Sequence, residues 1–330
     1  MFFNTRYSTG MQYPNRTFFV FNATESTGAG HMMRCIRFAN EFINRELEIY
    51  HIGLVEIEWL KESRFNELFS TSSEQLDFIP SINDIFIVDS YENGTIELYR
   101  EIAKKNLVVQ IIDSTTELIP NATYFSLDPY NPEIWSKNNI LENVEWGLKY
   151  FPCKFVPYRF DSSQSRNILV TGGGSDINDF TKSFYKSVLN LDLDNLHFHI
   201  FSKSLNSSDE NQNITIYPLG EDLIQILEKC SLVISSAGTS IWDFLANSRT
   251  LAVVKSVENQ NMNYKYVGEN SLAKCVGEWE EDKWNFEIQK ISDFLTEPSK
   301  YSKLDVSNYG LDFMGAARFV DKVLEKFNLS

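Results

Sequence analysis

Cysteine is scarce in this chain, at four of 330 residues. Cys35, Cys153, Cys230 and Cys275 are scattered, with no Cys-x-x-Cys pair. That argues against a structural zinc site and suits a reducing compartment. Basic residues are in deficit: 30 Lys and Arg stand against 45 Asp and Glu, a formal net charge of −15. This disfavours nonspecific binding to nucleic acid or to acidic membranes. It does not exclude a small anionic ligand, which needs only local donors. No apolar run is long enough to span a bilayer, so no stable membrane insertion is expected. The start, Met1-Phe2-Phe3-Asn4-Thr5-Arg6, lacks the apolar core of a signal peptide, and a cytoplasmic location is expected. What the chain has in quantity is aromatic side chains, 25 Phe and 15 Tyr among 43% hydrophobic residues. They are expected to dominate the packing. The length suggests two domains.

The pattern along the chain is an alternation of strands and helices. Strands are expected at 17–22, 48–54, 85–89, 107–112 and 123–127, and helices at 31–45, 58–68 and 94–105. Apolar runs such as Ile85-Phe86-Ile87-Val88 read as strands buried on both faces, hence a parallel sheet. The segment 128–164 reads as irregular. The alternation restarts with strand 167–171 and a helix near 178–189. Strands follow near 196–201 and 213–217, then a helix near 220–229. Next come strand 232–235, helix 240–247, strand 250–254 and helix 258–268. The prediction is an α/β protein of two doubly wound, Rossmann-like domains facing across a cleft, 1–157 and 158–330. A closing helix near 311–327 has an apolar face suited to packing back across the junction.

The most informative stretch is Gly28-Ala29-Gly30-His31-Met32-Met33-Arg34-Cys35. It follows the strand-forming Phe18-Phe19-Val20-Phe21. It opens a helix whose Met32, Ile36, Ala39 and Ile43 recur at helical spacing. Gly28 and Gly30 let backbone approach a bound group. A helix start favours an anion, and His31 can exchange protons near neutral pH beside it. A tight turn with an incidental histidine is the plain alternative. The other histidines, His51, His197 and His199, fall in or beside strands and read as packing or surface residues.

Two further turns follow strand ends. The loop Gly172-Gly173-Gly174-Ser175-Asp176 and the turn Ser235-Ser236-Ala237-Gly238-Thr239-Ser240 read as a diphosphate cradle. Successive N–H groups, with the hydroxyls of Ser236, Thr239 and Ser240, can bond phosphate oxygens. Ordinary strand-to-helix turns are the alternative. Asn259 and Gln260 open a later helix, where a neutral amide can bond a sugar or a phosphate, or simply cap the helix. Asp89 and Tyr91 can reach a ligand from the first domain, or Asp89 can cap its turn. Arg34 is a further contact, or a partner for a helix acid such as Glu41.

Together these segments resemble the PseG/SpsG family. The resemblance is carried by Gly30-His31-x-Met33-Arg34-Cys35, Ile87-Val88-Asp89-Ser90-Tyr91, the two Gly-containing turns continuing to Ile241-Trp242-Asp243, Glu258-Asn259-Gln260 and Gly315-Ala316-Ala317-Arg318. It spans the chain from about Phe19 to Val323. That family hydrolyses a UDP-linked diacetamido-trideoxy sugar in pseudaminic acid synthesis and is related to MurG. The resemblance implies a GT-B fold, His31 as catalytic base, a site role for Asn259, and Asp243 on the ribose, where the family usually has Glu. The departures are Val20, Asn22, Thr27, Ser90 and Ser114, all in the sugar-facing half. The implied function is an inverting hydrolase of a UDP-sugar with no metal and no cofactor. No Asp-x-Asp pair is arranged to hold a cation between phosphates. Two rivals remain: a GT-B glycosyltransferase in surface polysaccharide synthesis, and a nucleotide-sugar-binding protein without catalysis.

Overall fold

The computed structural model describes residues 14–24, 29–56, 80–90, 93–113, 115–131, 144–157, 166–189, 195–220, 223–300 and 306–329. Strands β1 (Arg16–Val20), β2 (Ile49–Ile52), β3 (Asp84–Val88), β4 (Leu107–Ile112), β5 (Thr123–Ser126) and β6 (Val144–Trp146) form one sheet. Its order is β2-β1-β3-β4-β5-β6 and every pairing is parallel. Alternate residues serve two cores, as strand geometry requires. Phe19, Ile85, Ile87, Val109 and Phe125 pack with helix α1 (Gly30–Ile43). Phe18, Val20, Phe86, Val88 and Val108 pack with Ile96, Tyr99 and Ile102 of α2 (Asn93–Ile102). The buried stripe of α1 is Met32, Cys35, Ala39 and Phe42, with Phe38 and His31 also buried, whereas Ile43, expected inside, is exposed. The helix expected at 58–68 lies outside the described residues.

The second array comprises β7 (Arg166–Thr171), β8 (Leu196–Ser202), β9 (Ile214–Pro218), β10 (Leu232–Ser236), β11 (Thr250–Lys255), β12 (Lys274–Glu280) and β13 (Lys283–Phe286). Its helices are α3 (Phe180–Val188), α4 (Leu223–Leu227), α5 (Ser240–Ala246), α6 (Asn261–Glu269) and α7 (Ile288–Thr296). The sheet order is β13-β12-β11-β10-β7-β8-β9, parallel except for the β12–β13 hairpin. In open sheets of this kind the ligand crevice lies beyond the C-terminal strand ends, where the strand order reverses. That point falls between β1 and β3 in the first sheet and between β7 and β10 in the second.

Two features depart from the sequence expectation. The stretch 128–164, expected to be irregular, contains β6 and a short helical turn at Leu148–Tyr150. Three residues with an exposed Trp146 are too few to show alternation. The β12–β13 hairpin and α7 were likewise not anticipated. The hairpin turns through Glu281 (φ 50°) and Asp282 (φ 59°). Both central residues take the left-handed region that glycine or asparagine usually marks, so the turn carries no sequence signal.

The closing helix α8 (Gly315–Leu329) lies against α1 of the first array. Phe319 is fully buried, stacked on Phe38 at 4.0 Å and edge-on to Phe125 at 4.6 Å. At the helix start Gly315 abuts the Phe151 backbone so closely that a Cβ would sit 1.9 Å from the Phe151 carbonyl oxygen. Arg45, in the turn just after α1, reaches Asp321 and the Ala317 carbonyl. Removing the Phe319 ring deletes a buried aromatic that two neighbours enclose. Phe319→Ala is therefore expected to cost about 3–5 kcal/mol in urea unfolding. An unchanged midpoint would show that α8 adds nothing to the fold. No helix among the described residues is long and apolar enough to cross a membrane.

Candidate active site

Asp89 follows the last residue of β3, and its N–H donates to the Val20 carbonyl at the end of β1. Its carboxylate thus sits at the reversal point of the first sheet. His31, the second residue of α1, places Nδ1 2.6 Å from Asp89 Oδ1. Arg34 stands one helical turn on, hence on the same face. Its Nε donates to Oδ2 and its Nη2 to Oδ1, each at 2.5 Å. Cys35 Sγ lies 3.6 Å from Oδ2. All of this is enclosed: Asp89 is 1% exposed and His31 6%. Burial by itself would raise the Asp89 carboxyl. The charges and hydrogen bonds of Arg34 and His31 outweigh it and hold the group well below the usual carboxylate range. Burial and the Asp89 charge push the Cys35 thiol up, so it stays protonated.

An ionised Asp89 can only accept, so His31 carries its proton on Nδ1 and presents Nε2 as the acceptor. Arg34 Nη2, 3.0 Å from the same Nδ1, is then a second donor sharing Oδ1. The motif's histidine, its arginine and the distant aspartate are one unit. Glu41, the other partner considered for Arg34, pairs with Arg45 instead. Gly28 and Tyr91 lie outside the described residues, as does Ser114.

At the next strand ends stand two more carboxyls. Asp113, after β4, accepts on Oδ1 from the Thr115 N–H and from the hydroxyls of Thr115 and Thr116. Asp128, after β5, is pushed up to about 7 by burial and by the Asp113 charge, against the pull of Arg34. Sequence reasoning missed Asp128 because it opens a stretch read as irregular.

In the second array the two Gly-containing turns flank the reversal point between β7 and β10. Ser236 Oγ donates to the Gly172 carbonyl at 3.0 Å, tying the turns together. That hydroxyl, expected on a phosphate, spends its proton within the protein. Gly172 is required: a Cβ there would lie 2.3 Å from Asp176 Oδ1. Asp176 in turn takes the Thr181 N–H and hydroxyl at the start of α3. Gly173 (φ 80°) and Gly174 form the outer bend. Beyond β10, Gly238 leads to Thr239 and Ser240 at the start of α5; Thr239 is the N-cap residue, and its side chain makes no capping bond. Gln260 is buried, accepts the Ser256 N–H at 2.9 Å, and places its Nε2 3.9 Å from where a Cβ on Gly238 would be. Asn259 is exposed in the short turn Glu258–Gln260. The turn is therefore met by Gln260, and also by Asn263, whose Nδ2 donates to the Ala237 carbonyl. Asn263 sits one turn beyond Gln260, a spacing that could have revealed it.

The two halves meet across these motifs. A Cβ on Gly30 would lie 3.7 Å from Thr239 Oγ1. Asp243, expected on a ribose, is occupied differently. Its oxygens accept Arg37 Nη1 at 2.9 and 2.7 Å, and Oδ1 also takes the Lys154 N–H at 2.8 Å. Arg37, one turn beyond Arg34, also donates to the Pro152 carbonyl. The acid on α5 thus joins α1, the connecting segment and the second array.

Superposition on solved structures gives the same architecture. UDP-GlcNAc 2-epimerase from Neisseria meningitidis bound to UDP-GlcNAc aligns with TM-score 0.61 at 13% identity, covering 94% of this chain and 100% of that one. S. aureus MnaA with UDP aligns with TM-score 0.63 at 11% identity, covering 96% and 98%. The chain has the GT-B fold. MurG of Acinetobacter baumannii, at TM-score 0.57 and 12% identity, covers 94% of this chain and 100% of its own. No protein-family model and no curated sequence matches the chain.

Proposed function

We propose that this GT-B protein hydrolyses the anomeric C–O bond of a UDP-linked diacetamido-trideoxy sugar. It would release UDP and a free sugar for pseudaminic acid biosynthesis. The reading rests on one observation above all: His31, at the reversal point of the first sheet, has its tautomer fixed by buried Asp89. Residues 1–157 then form the sugar-binding, catalytic half and 158–330 the UDP-binding half. Structural neighbours that hold UDP-GlcNAc or UDP support the ligand class.

In this mechanism a water oxygen bonds to C1 while His31 Nε2 takes the water proton. The C1–O bond to the diphosphate breaks and its electron pair leaves with UDP. Asp89 keeps its hold on Nδ1–H and stabilises the imidazolium that forms. Backbone N–H groups at Gly174, Gly238 and Thr239, with the hydroxyls of Thr239 and Ser240, meet the charge developing on the leaving group, whereas the Gly173 N–H is held by Thr171 Oγ1. Asp89 is committed to His31 and Arg34 and does not serve as a nucleophile. A single displacement with inversion follows.

Hydrolysis in ¹⁸O-water tests this. Label is expected in the C1 hydroxyl of the sugar and not in UDP, with activity persisting in EDTA. Label in UDP would mean P–O cleavage. UDP release that strictly requires an added acceptor would identify a glycosyltransferase.

A further inference from the structure

We infer that Asn178 is a positioning residue: it holds the turn at Ser256 so that the Gln260 amide presents its Nε2 donor to the diphosphate of the ligand. This deepens the nucleotide-sugar reading above and rests on it.

The loop after β7 does not stop at its own strand end. In the order β11-β10-β7 it crosses the end of β10 to reach the end of β11. It is fastened on both sides of that crossing. The Ser236 hydroxyl, on the last residue of β10, holds the Gly172 carbonyl. Farther on, Asn178 Nδ2 donates to the Ser256 carbonyl, just after β11, at 2.9 Å. Asn178 is itself fixed. Its carbonyl accepts Trp284 Nε1 at 2.9 Å, and that indole stacks on Phe286 and packs against Phe180. Its backbone lies in the left-handed region (φ 57°), which asparagine tolerates better than most residues. Ser256 is 1% exposed, and its N–H donates to Gln260 Oε1 at 2.9 Å.

That last bond decides which end of the amide faces the site. Oε1 is committed to Ser256, so Nε2 is the end left for a ligand, 3.9 Å from where a Cβ on Gly238 would be. Gln260 is 8% exposed, and no described residue accepts from Nε2. A nearly buried donor without an acceptor is costly, and a ligand oxygen removes the cost. The Gly238 turn is the one assigned to the diphosphate, so a phosphate oxygen is the acceptor this placement supplies. The bond would be charge-assisted and brings no further charge from the protein. Without the hold on Ser256, the amide is free to rotate about its last torsion and offer Oε1 instead, an acceptor that repels phosphate. Asn178 touches no ligand in this arrangement; it acts through Ser256 and Gln260.

Calorimetry of the full chain with UDP tests this as a double-mutant cycle. Asn178→Gly keeps the left-handed backbone and removes the amide; Asn178→Asp keeps the shape and replaces the donor with an acceptor. Both are expected to weaken UDP binding roughly tenfold, the worth of one hydrogen bond to a charged group. Gln260→Ala should lose about as much. Adding Asn178→Gly to Gln260→Ala should cost nothing further, because the bond being positioned is already gone. Losses that add in full would mean that Asn178 only braces its loop, and would overturn the inference. Wild-type UDP affinity in the Asn178 variants overturns it too. Unchanged affinity in Gln260→Ala does so whatever the Asn178 variants do. Failure of wild type to bind UDP at all overturns the nucleotide-sugar reading itself.

Discussion

His31→Ala is expected to lower turnover roughly 10²–10⁴-fold, the usual worth of a general base, with UDP affinity nearly unchanged. The separation follows from the architecture. His31 belongs to the first array, at the β1–β3 reversal, whereas the turns assigned to the diphosphate belong to the second. The base acts on water, so its loss should appear in kcat. Asp89→Asn should also cost turnover, because an amide can donate to Nδ1 and so release the tautomer that presents Nε2 as acceptor. Single-turnover kinetics and calorimetry with UDP separate the two effects. Near-wild-type turnover in the alanine variant would remove His31 from the mechanism. A parallel fall in UDP affinity would mean that the histidine binds the nucleotide.

Much of this site is legible in the sequence, and the reason is local. A strand, a glycine turn and a helix start within a dozen residues can be read from composition and periodicity, so the places of His31, Gly173 and Gly238 were found. Partnerships are another matter. Asp89 lies 58 residues from His31, and their contact depends on β3 pairing beside β1. Sheet order is not written in any single segment. Asp243 shows the same gap: its position on the helix after the Gly238 turn was found, but not its partner. Arg37 is 206 residues away, on the opposite array, and only the approach of the two halves brings them together. Asp128 was hidden for a third reason. The strand before it is expected at 123–127, but Asp128-Pro129-Tyr130 carries neither a glycine turn nor a helix start to mark a site.

Asp89→Ala is expected to destabilise the fold by about 3–5 kcal/mol, because it strands a buried cation. Arg34 keeps only 14% of its side chain exposed and would lose the carboxylate that its Nε and Nη2 contact. Arg34→Met combined with Asp89→Ala should recover part of the loss, since removing both charges abolishes the uncompensated one. The pH dependence gives an independent check. The folded Asp89 carboxyl lies below its unfolded value of 3.8, so its contribution is fully present above that pH and fades as pH falls through the folded value. Asp128 acts with the opposite sign. Its folded value, about 7, lies above 3.8, so its contribution is complete below 3.8 and is lost as pH rises toward 7. The two carboxyls, at strand ends on either side of β4, therefore favour a stability maximum on the acidic side of neutrality. Urea unfolding across pH should show it in wild type. Asp128→Asn should flatten the alkaline side, and Asp89→Asn should flatten the acid side. A maximum that stays in place in both variants would show that neither carboxyl governs the profile, and would undo the charge assignment of the whole row.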